Sequence, residues 1–290
     1  MELRTLRAFV EVVRQGGFSQ AAKVVFVTQS TVSKAVKQLE DELGLPLLDR
    51  LGSGIRPTAA GEIVYRRALR LLAERDDLAA ELTDLKGLKR GTLRLGLPPI
   101  GSSTLFAPLF TVYRQRHPDI EMRLVEHGSD RLQELLAAGD IDFAGLLLPV
   151  PDEFSSQLVR REPLVAMLAA DHPASAWPSV RLRDLRDTPF ILFDAGFALN
   201  RIILDACRRE GFEPNVVARS SQIDFIAQLA GAGLGVAFLP RMIAMERARM
   251  PFRSVLLDDP DTEWAMAMAW RRGAYMSPAG AAWLALLREG

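Results

Sequence analysis

Nine positions between residues 19 and 56 carry side chains suited to gripping an anionic polymer. Gln29, Ser30, Thr31, Ser33, Lys34 and Lys37 crowd one stretch, with Ser19 before it and Arg50 and Arg56 after it. A glutamine amide offers a donor and an acceptor side by side and can pair with an adenine edge, whereas lysine and arginine meet phosphate. Between Val12 and Leu39 there are four cations (Arg14, Lys23, Lys34, Lys37) and no carboxylate. The formal net charge of the whole chain is +0, but binding to a polyanion depends on the local patch. These residue types point to double-stranded DNA as a partner.

The surrounding pattern predicts the elements that would present them. Leu3, Leu6, Phe9, Val10 and Val13 recur at helical spacing, and Gly16-Gly17 ends that helix. Ser19 is the expected cap of a second, short helix in which Ala21 and Ala22 permit close packing. Thr28 is the expected cap of a third helix, with Val32, Ala35, Val36, Leu39 and Leu43 as its buried stripe and Gly44 as its end. Ser30, Ser33, Lys34 and Lys37 then fall on another face at i, i+3, i+4 and i+7, while Gln29, Ser30 and Thr31 occupy the first turn. The segment LLDRLGSGIRPT reads as a hairpin turning at Gly52-Ser53-Gly54, which would lay Arg50 and Arg56 along the duplex. Taken singly, each residue also fits a small helical domain with solvated cations; their joint order is more specific.

From Thr58 to about Leu88 the sequence predicts one long helix. Val64, Leu71, Leu78 and Leu85 repeat every seven residues, interleaved with Ala68, Arg75 and Leu82, which is a coiled-coil seam and implies a dimer. Packing of this stripe onto the chain's own C-terminal half is the alternative. Arg75 could set the register or extend outward. Gly87 to Gly91 reads as a linker.

Beyond it, strands and helices alternate, as in a mainly parallel, doubly wound α/β arrangement. TLRLGLP, IEMRLVEHG and IDFAGLLLP read as strands of one lobe, separated by the helices SSTLFAPLFTVYRQRHP and SDRLQELLAAG. PFILFD, NVVARS and GVAFLP are strands of a second lobe. LVRREPLVAMLAADHP and EWAMAMAWRR look like crossings between the two, and PAGAAWLALLRE a final helix on the first lobe. Two such lobes enclose a cleft at the carboxyl ends of their strands, the usual place for a ligand. Ser102, Ser103 and Ser129 open helices there and Phe193 and Phe197 could wall the far side, although each serine could be a mere cap and Phe193 mere core. No Arg or Lys lies in these loops, which suits a small or weakly held ligand.

Enzyme chemistry finds no footing. The run Gly231, Gly233, Gly235 leads from helix to strand, the reverse of a dinucleotide loop. His117, His127 and His172 are scattered without metal-ligand spacing, no G-x-S-x-G elbow is present, and no cofactor is implied. Cys207, the one cysteine, sits near the apolar side of an amphipathic segment and is expected to be buried, which suits a reducing cytosol. Neither a signal peptide nor an apolar run of membrane-spanning length is read from the sequence, so a cytoplasmic protein with no membrane partner is expected.

The pattern S-x-A-A, then T-Q-S-T-V-S-K-A-V-K-Q-L-E-x-E-L-G, then L-L-x-R and R-P-T-x-A-G, resembles the winged helix-turn-helix of LysR-type transcriptional regulators. Ser19, Ala21, Ala22, Gln29, Ser30, Ser33, Leu39, Glu40, Leu43, Gly44, Arg50, Thr58 and Gly61 carry the match. Leu48 stands where the family often has Phe, and Gly52-Ser53-Gly54 replaces a more basic wing tip. The C-terminal half resembles the periplasmic-binding-protein-like effector domain of the same regulators. The resemblance implies a winged domain over 1–58, a dimerising helix and hinge over 59–90, and an effector domain over 91–290. Within the last, lobe I would hold 91–162 and 268–290, and lobe II 163–267. It also implies homodimers pairing into homotetramers. Segments such as GDIDFAGLLLPV and SSQIDFIAQLAGAGLGVAFLP are most similar to the subgroup controlling holin-like, cid-type operons, which implies a small carboxylate effector such as acetate. Leu147 occupies a place where some relatives are polar or basic, disfavouring a large diacid. A solute-binding protein with a helical appendage, or an architectural DNA binder without effector, are the competing readings.

Overall fold

Leu6, Phe9 and Val10 form the buried side of α1 (Leu3–Gln15) in the computed structural model, which describes residues 1–51, 54–85 and 91–289. α2 (Phe18–Val24) starts directly after Gly17, so Ser19 lies inside its first turn with an exposed side chain instead of capping it. The aromatic ring of Phe18 packs against the domain core, and the cap falls at Gly17, two residues before the expected one. α3 (Gln29–Leu43) begins as expected, with the Thr31 N–H donating to the Thr28 hydroxyl at 3.2 Å. Val32, Val36 and Leu39 are buried and Ala35 is half-buried, but Leu43 is exposed because Leu47 and Leu48 fill the core there.

β1 (Leu48–Leu51) and β2 (Gly54–Pro57) pair antiparallel, with Leu48 opposite Pro57 and Leu51 opposite Gly54. The Gly52-Ser53 turn lies outside the described residues. Glu40 ties this wing to α3 by accepting the Leu47 N–H at 2.8 Å and the Leu48 N–H at 3.3 Å. The Thr58 hydroxyl donates to the Pro46 carbonyl at 2.7 Å and accepts the Gly61 N–H at 3.0 Å, opening α4 (Ala59–Leu85). A Cβ on Gly61 would collide with the Leu47 carbonyl oxygen, so this crossing of helix and wing admits glycine alone.

The seam of α4 divides. Val64 and Ala68 pack into the winged domain's own core, so the first heptad is spent at home. Leu71, Leu78 and Leu82 are 45%, 58% and 50% exposed. Arg75 turns to Asp76 at 2.5 Å. The Leu85 side chain and most of the expected linker, residues 86–90, lie outside the described residues.

Two compact units result: Met1–Leu88 with Ala137–Asp140, and Lys89–Leu136 with Ile141–Gly290. The second opens with β3 (Thr92–Leu97), α5 (Ser102–Leu105), α6 (Ala107–Arg116), β4 (Glu121–Glu126), α7 (Ser129–Ala137) and β5 (Phe143–Leu147). The single helix expected after β3 is broken at Phe106, where Pro108 removes an N–H that the ladder would need. β6 (Phe154–Glu162) and β7 (Leu164–Ala169) make the first crossing, followed by β8 (Ser179–Val180), β9 (Phe190–Phe193), α8 (Ala198–Arg209), β10 (Val216–Ser220), α9 (Ile223–Gly231), β11 (Ala237–Pro240), α10 (Arg241–Glu246) and β12 (Phe252–Leu257). β13 (Trp264–Arg271) returns to lobe I and α11 (Pro278–Glu289) ends the chain.

Lobe I is a sheet in the order β4-β3-β5-β13-β6. β3 runs parallel to β4 and β5, while β13 is antiparallel to β5 and β6. Lobe II combines β11-β7-β12-β8 with the parallel pair β10-β9, joined by a bridge between Phe190 and Val236. The sheets are therefore mixed: crossing strands must enter against the direction of the βα units they join. α11 packs on lobe I, where Trp283 is fully buried 5.2 Å from Phe110 and the Tyr113 hydroxyl donates to the Ala279 carbonyl at 2.8 Å.

Candidate functional site

On α3, Gln29, Ser30, Thr31, Lys34 and Lys37 are exposed and Ser33 is half-buried. The Ser30 and Thr31 hydroxyls lie 2.9 and 2.8 Å from that of Thr28, so the helix start is internally braced and Gln29 is the freer side chain. Acids on α3 begin only at Glu40, and that one is occupied by the wing. Arg56 is exposed on β2; the Arg50 side chain lies outside the described residues. A braced helix start, a cationic row and an arginine on the adjacent hairpin make a surface suited to a groove and its flanking phosphates.

The lobes of the second unit meet around a cavity of about 20 Å³, enough for one water molecule. Its walls come from both lobes: Ser129 and Leu147 from lobe I, Phe197 and Leu199 from lobe II, and Trp264 and Met266 from the returning strand. Ser129 is 5% exposed, and its hydroxyl has no hydrogen-bond partner among the described residues. α7 and α8 both begin here, so two helix N-termini converge on an otherwise apolar chamber, and no Arg or Lys lines it. Backbone contact between the lobes is close, since a Cβ on Gly128 would stand 2.9 Å from the Gly196 carbonyl oxygen.

Three expected wall residues are placed elsewhere. The Ser102 hydroxyl is taken by the Pro98 carbonyl of the turn it closes, and Ser103 points to solvent. Phe193 is 2% exposed behind the cavity, its ring stacked 5.2 Å from that of Phe197. Asn200 holds it there, pairing with the Phe193 N–H at 3.1 Å and its carbonyl at 2.9 Å. Trp264 and Met266 escape a reading of the sequence, where the large–small alternation of WAMAMAW is the available signal. Gly128 escapes it too.

Cys207 is buried in α8, and burial pushes its thiol up to about 12, which keeps it protonated and unreactive. Among the described residues no cluster of His, Cys, Asp or Glu could hold a metal ion, and no helix is long and apolar enough to cross a membrane.

Residues 3–62 match the family profile described as bacterial regulatory helix-turn-helix protein, lysR family, and residues 86–290 match LysR substrate binding domain. The chain is 34% identical to the uncharacterized HTH-type transcriptional regulator YwbI of Bacillus subtilis (strain 168), over 98% of this chain and 95% of that one. It is 33% identical to the HTH-type transcriptional regulator BudR of Raoultella terrigena, over 94% and 95%. Among solved structures, a full-length OxyR variant from Pseudomonas aeruginosa is similar at TM-score 0.70 and 26% identity, covering 100% of this chain and 94% of that one. With a helix-turn-helix that presents an acid-free polar row and a two-lobed domain built to enclose a small molecule, the chain belongs to the LysR family of DNA-binding transcriptional regulators and is not an enzyme.

Proposed function

We propose that 1–58 reads a specific upstream duplex, 59–90 joins two copies, and 91–290 senses a small monocarboxylate that alters the grip on DNA. Gln29, Ser30 and Ser33 address base edges; Ser19, Thr31, Lys34, Lys37, Arg50 and Arg56 hold phosphate. The carboxylate would sit between the starts of α7 and α8, hydrogen-bonded to Ser129, with its short tail against Leu147, Phe197, Trp264 and Met266. The unpartnered Ser129 hydroxyl at two converging helix N-termini is the observation that carries this reading. Similarity to the regulators of cid-type operons supports the same ligand class. An apolar chamber without a cation favours one charge and few carbons. Because a space of about 20 Å³ is too small for a carboxylate with its carbon tail, the lobes must part to admit ligand, and binding then holds them together. The exposed Leu71, Leu78 and Leu82 support pairing along α4, with dimers joining into tetramers in the cytoplasm.

Protection mapping on the gene's own upstream DNA, with and without acetate, propionate and butyrate, tests this. A sequence-specific footprint that lengthens or shortens with one acid is expected. Equal affinity for unrelated duplex at moderate salt would sink the duplex assignment, and a footprint indifferent to every acid would sink the ligand class.

A further inference from the structure

The turn between α2 and α3 carries a feature that neither folding nor the DNA-facing row accounts for. Phe26 adopts φ +56 and is 92% exposed. A bulky side chain is strained in the left-handed region, where Gly or Asn would be relaxed. The turn itself is held by backbone bonds, Val27 N–H to the Ala22 carbonyl at 3.0 Å among them, and none needs a benzyl group. Beside Phe26 runs an open groove of about 540 Å³. Its floor is apolar, with Ala8, Val24 and Val32, and its rim carries Arg4, Arg7 and Lys34. Among the described residues no carboxylate lines it. Arg4 is tied to Glu2 at 2.7 Å, whereas Arg7 and Lys34 have no ion pair among the described residues.

The groove lies on the flank of α3. Thr31, Ala35 and Gln38 border it, a row four and three residues apart that runs beside the row of Ser30, Ser33 and Lys37; Thr31 and Lys34, the phosphate-holding residues at its edge, are shared with the duplex, and the base-reading Gln29, Ser30 and Ser33 are not. An occupant would therefore stand next to the duplex and leave the groove-reading face free. Phosphates gain nothing from an apolar floor. An amphipathic helix with apolar anchors and acidic flanks matches both floor and rim.

We propose that this groove docks an acidic amphipathic segment of a second protein seated beside the regulator on DNA, with Phe26 as its apolar anchor and Arg7 as a charge partner. The test uses the full chain bound to its own upstream duplex and two labelled helix-forming peptides. Both carry leucine and phenylalanine at i, i+3 and i+4; one has glutamates elsewhere and its twin has lysines. Fluorescence anisotropy should show the acidic peptide binding at least about tenfold more tightly than its twin, with about tenfold losses in Phe26→Asn and in Arg7→Glu. Duplex affinity of both variants should stay within about twofold of the parent. Phe26→Asn suits the left-handed turn, so its folding is not in question. Equal binding of the twins, full binding by Phe26→Asn, or displacement of the peptide by saturating duplex would each overturn the proposal. So would a change in oligomer size in Phe26→Asn by sedimentation, which would give the groove to a second copy.

Discussion

Gln29 and Lys37 are exposed on one helix, the proposed roles give them different parts of a duplex, and truncation separates those roles. Gln29→Ala should cost about 1–3 kcal/mol at one base position and relax preference there, read by competition between operator variants. Lys37→Ala should weaken binding to all sequences alike and lower the slope of log affinity against log salt by about 1. Equal losses on every sequence for Gln29→Ala would assign it to phosphate. In the cleft, Ser129→Ala should leave duplex affinity in place and cut carboxylate affinity about tenfold, since a hydrogen bond to a charged group contributes about 1.5–3 kcal/mol; titration calorimetry checks it. At this scale the sequence is legible where one residue acts locally. The Thr28 cap and the exposed Lys34 and Lys37 follow from spacing alone. Ser102 and Phe193 mislead because their partners, the Pro98 carbonyl and the Asn200 side chain, are chosen by loop geometry that periodicity does not encode.

Elements meet at glycines in this molecule, and one such meeting bears on the proposed closure. Gly128 precedes α7 and approaches the Gly196 carbonyl of the facing lobe. Gly128→Ala should hold the lobes apart, lower carboxylate affinity at least about tenfold, and leave one footprint with or without ligand. Ligand-dependent protection unchanged by that substitution would separate closure from signalling. The return crossing carries a half-buried carboxylate, Asp259, which accepts the Leu182 N–H at 2.7 Å while its other oxygen has no partner among the described residues. Burial, reinforced by Glu210 and Asp184, raises its pKa. A carboxyl that holds its proton more tightly folded than unfolded favours the fold below its unfolded pKa, and that contribution fades as pH rises through the folded value. Asp259→Asn should therefore melt higher than the parent at pH 7 and converge with it in acid, which melting curves across pH would show. Most elements of the second unit are readable from strand and helix periods. β8, β12 and α10 are not, being short or lacking clean alternation, and the antiparallel crossings depend on chain pairs far apart in sequence.

For the whole molecule, the proposed pairing along α4 is what would decide how many chains act together. Leu71 at the middle of the helix and Leu78 in its rear half lie open, an arrangement that suits a partner helix better than water. Leu78→Asp should shift the sedimenting species toward the single chain and weaken operator binding by far more than a single lost contact, because two linked half-sites bind with avidity. Operator affinity untouched by Leu78→Asp would place the pairing elsewhere. The heptad repeat announces this seam but overstates its length, since such a pattern cannot say which of its apolar residues a neighbouring core will claim, as the winged domain claims Ala68.

That division of α4 has a thermodynamic corollary. A helix whose front is anchored and whose rear exposes leucine to water would, paired as proposed, gain order from its own kind, so the rear should melt at a higher temperature as the chain grows more concentrated. On that pairing, abundance in the cell becomes a setting of the regulator itself: scarce copies leave the rear of α4 single, and plentiful ones stiffen it.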